Sequence, residues 1–235
     1  MILSTHGIIG SSGGAIPSTL NNSLYAVYKA ESNANDSLGT YNGTAQGGLT
    51  YTAGKSGNAF TFNGTNADIL LSNGAWNLTG DFSISMWTNW GRNNTSQILM
   101  ANMTINPNQR GWFIEHAAGT LRFRGFNSSG GNAFYINYGY TPPLNTWVHY
   151  TFVHKNNDNQ MYINGVQVLG DTSSSTHVAY ESTNWPMIGA NRYTPTIYQE
   201  FFLGKLDAVS VWNRALTTAE VTDLYNTGTG KFYPY

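Results

Sequence analysis

After roughly its first twenty residues the chain alternates apolar and polar side chains in short runs, and helical periodicity is nearly absent. A period of two is the mark of a half-buried strand, because successive side chains leave a pleated backbone on opposite faces. DFSISMWTNW (81–90) puts Phe82, Ile84, Met86 and Thr88 on one face, with Ser83, Ser85 and Trp87 on the other. WFIEH (112–116), LRFRGF (121–126), AFYINY (133–138) and WVHYTFVHK (147–155) continue the pattern, and AFTFNG (59–64), ADILLS (67–72), PMIGA (186–190) and FLGKLDAVSVWNR (202–214) predict further strands. In QMYINGVQVLG the dipeptide Asn164-Gly165 lies between two such runs and predicts a type I′ hairpin turn. One helix is signalled, in LTTAEVTDLYNTG. Thr217 and Glu220 form a capping box, Leu216 and Val221 have staple spacing, Leu224 continues the apolar face and Gly228 supplies a stop. Many short strands with turn signals between them predict two packed antiparallel sheets, an all-β jelly-roll sandwich with one short C-terminal helix.

Composition narrows the function. Eleven Lys and Arg against twelve Asp and Glu give a formal net charge of −1, so no basic stripe is available to neutralise a phosphate backbone, and nucleic acid is excluded as a partner. No apolar run reaches membrane-spanning length. His6, Gly7 and Gly10 interrupt what would be the apolar core of a secretory signal. The absence of cysteine removes disulfides and thiolate ligands. The polar character comes from Asn, Ser, Thr and Gly, alongside 15 Tyr and 7 Trp, a mixture that suits strands joined by turns with aromatic surface to spare.

Four segments, in order, carry a resemblance to the laminin-G-like, concanavalin A-like jelly-roll domains of bacterial and viral proteins. They are YAVYKAESNANDSLGTYNGT, GKSGNAFTFNGTNADILL, NTWVHYTFVHKNNDNQMYINGVQV and GKLDAVSVWNRALTTAEVTDLY. The resemblance covers roughly residues 23–227 and implies a domain over 23–235, preceded by an arm at 1–22. Relatives of this kind often hold a structural Ca²⁺ between the first loop and the closing strand. Carried onto this chain, that implies Asp36 and Asp207 as carboxylate ligands, helped by Asn33 and Asn42. The loop reads DSLGTYNG, in which Leu38 and Tyr41 make it poorer in oxygen than its relatives, and Asp36 capping a turn is the competing reading.

Glycosidases on this scaffold carry paired carboxylates on one strand, and no such cluster occurs here, where Glu115 and Glu200 stand alone in sequence. The expectation is therefore a protein that is not an enzyme. His149 and His154 are five apart on one strand and point to opposite faces, so they cannot share a metal. Contacts with a glycan or a protein partner are expected from aromatics set among polar donors: Trp90, Tyr135, Tyr138, and the segment with Asn191, Arg192, Tyr193 and Tyr198, which reads as a loop.

The first twenty residues, MILSTHGIIGSSGGAIPSTL, place apolar Ile2, Leu3, Ile8 and Ile9 ahead of a Gly/Ser joint. An apolar leader, a flexible joint and an Asn/Thr-rich β-domain resemble the layout of tailed-bacteriophage head fibres, capsid decorations and tail-associated proteins. That layout implies a virion surface protein anchored to other virion proteins by its arm, displaying a lectin-like domain for adhesion to host or environmental glycans and open to homo-oligomerisation. The alternative is a calcium-assisted carbohydrate-binding module of a bacterial surface or secreted protein.

Overall fold

The computed structural model describes residues 18–72, 74–104, 109–171, 175–180, 185–194 and 197–235, so Ile2, Leu3, Ile8 and Ile9 lie outside the described residues. Seventeen strands and one α-helix are described. In the first half β1 is Leu24–Tyr28, β2 Gly43–Gln46, β3 Thr50–Ala53, β4 Asn58–Asn63, β5 Asp68–Leu71, β6 Phe82–Trp90, β7 Gln97–Thr104 and β8 Arg110–Ala117. Then come β9 Thr120–Phe126, β10 Asn132–Gly139, β11 Trp147–His154, β12 Asn159–Ile163 and β13 Val166–Asp171. The last are β14 Met187–Ile188, β15 Asn191–Thr194, β16 Ile197–Gln199, β17 Leu203–Trp212 and the helix α1, Thr218–Tyr225.

Two antiparallel sheets face each other. One has eight strands in the order β13-β12-β11-β6-β17-β4-β3, with β1 paired to β17, and the other has seven in the order β10-β9-β8-β7-β14-β5-β2. The expected jelly-roll sandwich is present. Its main core is one cluster in which Phe82 meets Trp112, Phe123 and Phe134 at 5.6–6.4 Å between ring centroids. Each such ring removed from water contributes about 1.5–3 kcal/mol, which makes this row the main source of cohesion between the sheets. Among the described residues no helix is long and apolar enough to cross a membrane.

The predicted hairpin turn forms, with Asn164 and Gly165 at φ 50° and 76° between β12 and β13. The predicted capping box of α1 also forms, with Thr217 accepting from the Glu220 N–H and Glu220 reaching back to the Thr217 N–H. The helix stops earlier than Gly228 predicts. Asn226 takes the left-handed conformation at φ 45° and acts as the C-cap, a geometry asparagine tolerates better than most residues.

Central strand β7 escapes the alternation rule. A bulge between Ile98 and Met100 resets its pairing with β8, so Leu99 and Met100 both join the main core while Ile98, Ala101 and Met103 form a small outer cluster with Phe126. The segment expected as a loop at 191–199 is instead a hairpin, β15 paired with β16.

The two outer faces differ. On the eight-stranded sheet, the outward residues of β6 and β11 are covered by α1, by the 3₁₀ turn Thr19–Asn21 and by the C-terminal residues. Ser83, Ser85, Trp87 and His149 are all buried there. Leu20, Leu216, Val221 and Leu224 pack on Trp212, whose Nε1 donates to the Leu20 carbonyl at 2.7 Å. Arg214 ties this cover together. Its guanidinium donates to both carboxylate oxygens of Glu220 at 2.7 and 2.8 Å and to the carbonyls of Thr19 and Asn22. That pairing, above all, holds the Glu220 carboxyl down at about 2.

Candidate functional site

The outer face of the seven-stranded sheet is open at its β9–β10 end, whereas toward β7, where the β15–β16 hairpin packs, it is buried. In β9, Leu121 and Phe123 point into the core, which leaves Arg122, Arg124 and Phe126 on the other side. Cross-strand register then fixes what stands beside them, since directly opposed residues share a face. One row runs Asn137, Arg122, Glu115, Ile98 across β10, β9, β8 and β7, and the next runs Tyr135, Arg124, Phe113, Ala101. Tyr135 is 40% exposed, while Ile98, Ala101, Met103 and Phe126 form a buried apolar cluster on the same side.

Arg124 is held in place on this surface by one hydrogen bond and two rings. Its Nε donates to Asn132 Oδ1 at 2.7 Å, and its Cζ lies 4.5 Å from the Phe126 ring centroid and 5.3 Å from that of Tyr135. Arg122 is engaged differently, with Nη1 donating to Glu115 Oε2 at 3.3 Å and Nε to Thr120 Oγ1 at 3.0 Å. Burial raises the Glu115 carboxyl, and Arg122 pulls against that rise.

The β15–β16 hairpin adjoins the Glu115 end of the face. Ile98 donates its N–H to the Glu200 carbonyl at 2.9 Å, and Glu200 itself sits at φ 58°. The Glu200 carboxyl is raised first by burial and then by the nearby charge of Glu115, with Asn191 hydrogen-bonding to it in opposition. On the hairpin, Arg192 stands opposite Tyr198, with its Cζ 4.5 Å from the Trp185 ring and 5.5 Å from the Tyr198 ring. Trp185 is 37% exposed.

Of the expected contact residues, Tyr135 lies on the open face and Asn191, Arg192 and Tyr198 on the adjoining hairpin; the Tyr193 side chain lies outside the described part. Trp90 requires correction. It is fully buried, its Nε1 donating to Tyr150 Oη at 3.2 Å and its ring edge-on to Phe202. Counting by twos from Phe82 puts it on the inner face of β6, so its position before a polar loop misleads. Tyr138 also turns inward, packed on the main core and stacked with Tyr140. Arg122, Arg124, Phe113, Glu115 and Trp185 were not among the expected residues. The alternation in LRFRGF already sets both arginines on one face, but nothing local says which strand lies beside them. Glu115 and Glu200, isolated in sequence, come within electrostatic reach of each other across β7.

The residues implied as calcium ligands do not fit that role as they stand. Asp36 is buried and its two oxygens accept four backbone N–H groups, Oδ1 from Val27 and Leu38 and Oδ2 from Thr40 and Tyr41, at 2.9–3.2 Å. A carboxylate has about four lone-pair sites, and donors fill all of them, so Asp36 staples the loop to β1. Asn33 Oδ1 accepts from the Asn35 N–H and Asn42 Oδ1 from that of Asp36. Asp207 Oδ2 accepts from the N–H groups of Lys55 and Ser56 in the Gly-Lys-Ser-Gly turn. That turn needs its glycines: a Cβ on Gly54 would come 2.6 Å from Asp207 Oδ2, and one on Gly57 would come 2.4 Å from Glu31 Oε2. Burial raises the Asp207 carboxyl to about 6. Among the described residues no three His, Cys, Asp or Glu side chains are grouped to hold a metal ion.

His149 and His154 do diverge, as expected. His149 pairs with Ser85 Oγ at 2.8 Å beneath α1, where burial lowers it to about 3, whereas His154 stacks on Phe134 in the core and meets His177 at 3.2 Å.

No protein of curated function matches the chain in sequence. Among solved structures it is similar to domain 4 of AbnA, an extracellular GH43 arabinanase from Geobacillus stearothermophilus solved with arabinotriose. The identity is 24% and the TM-score 0.68, over 85% of this chain and 97% of that one. It is also similar to the binding domain of Paraclostridial Mosquitocidal Protein 1, at 21% identity and TM-score 0.68 over 89% of this chain. Botulinum neurotoxin type C, described as interacting with two ganglioside molecules, matches at 16% identity and TM-score 0.68 over 89% of this chain. The chain spans about half the length of these two toxin chains, 53% and 52% respectively. The sequence profile of the concanavalin A-like lectin/glucanases superfamily named Laminin_G_3 matches residues 63–222, more than half of the chain, and the protein belongs to that family.

Proposed function

We propose that this is a non-catalytic carbohydrate-binding domain whose ligand face is the outer face of the seven-stranded sheet. The observation that carries the reading is the exposed ring of Tyr135, braced by Arg124 and flanked by Asn132 and Asn137 at the solvent-facing β9–β10 end of the sheet. A sugar ring has C–H faces rimmed by hydroxyls, and an exposed aromatic with fixed polar neighbours is complementary to it. The arabinotriose of the AbnA domain and the gangliosides of the neurotoxin support the same reading. Glu115, ion-paired to Arg122, and Glu200, bonded to Asn191, serve here to fix the arginine and the hairpin.

The test is retention on a panel of immobilised neutral and acidic glycans. Tyr135→Ala and Trp185→Ala should each abolish retention while leaving the melting temperature unchanged. Retention that survives both changes would place the ligand elsewhere.

A second part of the proposal concerns setting. The described chain enters the fold at Ser18 through a turn docked on the covered face, on the side away from the open face. That arrangement suits an anchor built from Ile2, Leu3, Ile8 and Ile9 that holds the domain to other virion proteins, alone or as a homo-oligomer, and presents the open face outward. Surface display on a bacterial cell or in the extracellular space uses the same geometry. A reporter carrying residues 1–20 should be retained by one large assembly from the source organism and lose that retention when Ile8 and Ile9 become Ser. No retention would remove the anchor.

A further inference from the structure

Resting on the carbohydrate-binding reading, we propose that the open face takes a saccharide bearing a carboxylate, the acid group on the guanidinium of Arg124 and the sugar ring against Tyr135. Charge and desolvation favour an acid group here. Arg122 has its counter-ion in Glu115 at 3.3 Å, so that pair is neutral as a unit. Arg124, two residues further along β9, has no carboxylate within ion-pair distance among the described residues, feels Glu115 only at longer range, and makes one described hydrogen bond, from Nε to Asn132. Among the described residues its Nη donors have no hydrogen-bond acceptor, and the Phe126 and Tyr135 rings lie 4.5 and 5.3 Å from its Cζ.

Any ligand that stacks on Tyr135 must also strip water from this guanidinium, and a desolvated charge without a counter-ion is costly. A neutral sugar offers only hydroxyl dipoles in return. A carboxylate supplies the missing charge and matches the fork with two parallel hydrogen bonds. Arg192 lies on the neighbouring hairpin rather than beside Tyr135, and it is engaged by a further interaction besides the Trp185 and Tyr198 rings.

The experiment compares the full chain on matched probes: oligogalacturonate against its fully methyl-esterified form, sialyllactose against lactose, and dextran sulfate against dextran. The expected result is that at least one carboxylate probe binds about tenfold or more tighter than its neutral partner, a difference equivalent to one lost charge-assisted contact. Arg124→Gln should erase that preference and Arg124→Lys should restore part of it, since lysine keeps the charge without the fork. If neutral and acidic partners bind alike and Tyr135→Ala still abolishes retention, the face binds sugars and the assignment of the acid group is overturned. If only dextran sulfate is preferred, the carboxylate assignment is overturned in favour of a sulfate ester. If none of the three pairs is retained, the acidic class is overturned, and the wider panel of neutral glycans decides separately whether the face binds carbohydrate at all.

Discussion

The two outer faces of this sandwich begin from the same strand pattern and end in opposite conditions. On the eight-stranded sheet the outward Ser83, Ser85 and Trp87 of β6 and His149 and Thr151 of β11 are buried beneath α1, the Thr19–Asn21 turn and the C-terminal residues. On the seven-stranded sheet the outward Arg122, Arg124, Phe113, Tyr135 and Asn137 of β8 to β10 keep contact with solvent, while Ile98, Ala101 and Glu115 nearer the β15–β16 hairpin are buried. Small hydroxyls and a neutral imidazole can be covered because each finds a partner close by, as Ser83 does with Arg214 and Leu216, and Ser85 with His149. Arg124 and Tyr135 have no such cover and stay in contact with solvent. A jelly roll has two outer faces, and here chemistry separates one for stability from one for contact.

That contrast can be broken by mutation, and the largest effect belongs to the covered face. Trp212→Ala removes a fully buried indole that stacks on Tyr235 and donates to Leu20, and should cost about 3–5 kcal/mol in a urea titration. A loss below about 1 kcal/mol would show that the cover contributes little.

Next comes a difference in pH response. Asp68 in β5 is buried with Oδ1 unpartnered, and burial raises its carboxyl to about 6. A carboxyl raised in the folded state favours the protonated fold, so its penalty is absent below the unfolded value near 4 and complete above about 6. Asp68→Asn should therefore stabilise the protein by up to about 2–3 kcal/mol at pH 7.5 and by almost nothing at pH 3.5. An equal gain at both pH values would contradict the burial argument.

Glu220 on the covered face has the opposite sign. Its carboxyl is depressed to about 2, so its contribution is present above the unfolded value near 4.5 and disappears as pH falls through about 2. Arg214→Met should destabilise by about 1–2 kcal/mol at pH 7, through the lost bonds to Glu220, Thr19 and Asn22, and by less at pH 2. The smallest effect is on the open face, where Tyr135→Ala should change stability by less than about 0.5 kcal/mol while removing glycan retention.

Much of this architecture can be read from short stretches of sequence, where the signal is local. Asn164-Gly165 specifies its turn because both residues accept positive φ, and Thr217 with Glu220 specifies the start of α1 because the capping bonds span only three residues. Arg122 and Arg124 fall on one face by simple alternation. What sequence does not reveal is set by contacts distant along the chain. The bulge after Ile98 places two successive residues in the core and hides β7 from a period-of-two reading. Glu115 meets Glu200 only because β15–β16 folds beside β7. Asp36 could be a metal ligand or a turn cap by spacing alone, and the four N–H groups that converge on it are visible only once β1 and its loop are placed.

The central claim is that the open outer face of the seven-stranded sheet holds the ligand. The most direct measurement is side-chain chemical-shift mapping by nuclear magnetic resonance, titrating in the best-retained glycan. The account predicts shifts at the Arg122 and Arg124 Nε–H, the Asn132 and Asn137 amides and the Tyr135 ring, with the Trp212 indole and the Asn21 amide of the covered face unmoved. Shifts confined to the covered face, or to neither outer face, would contradict it.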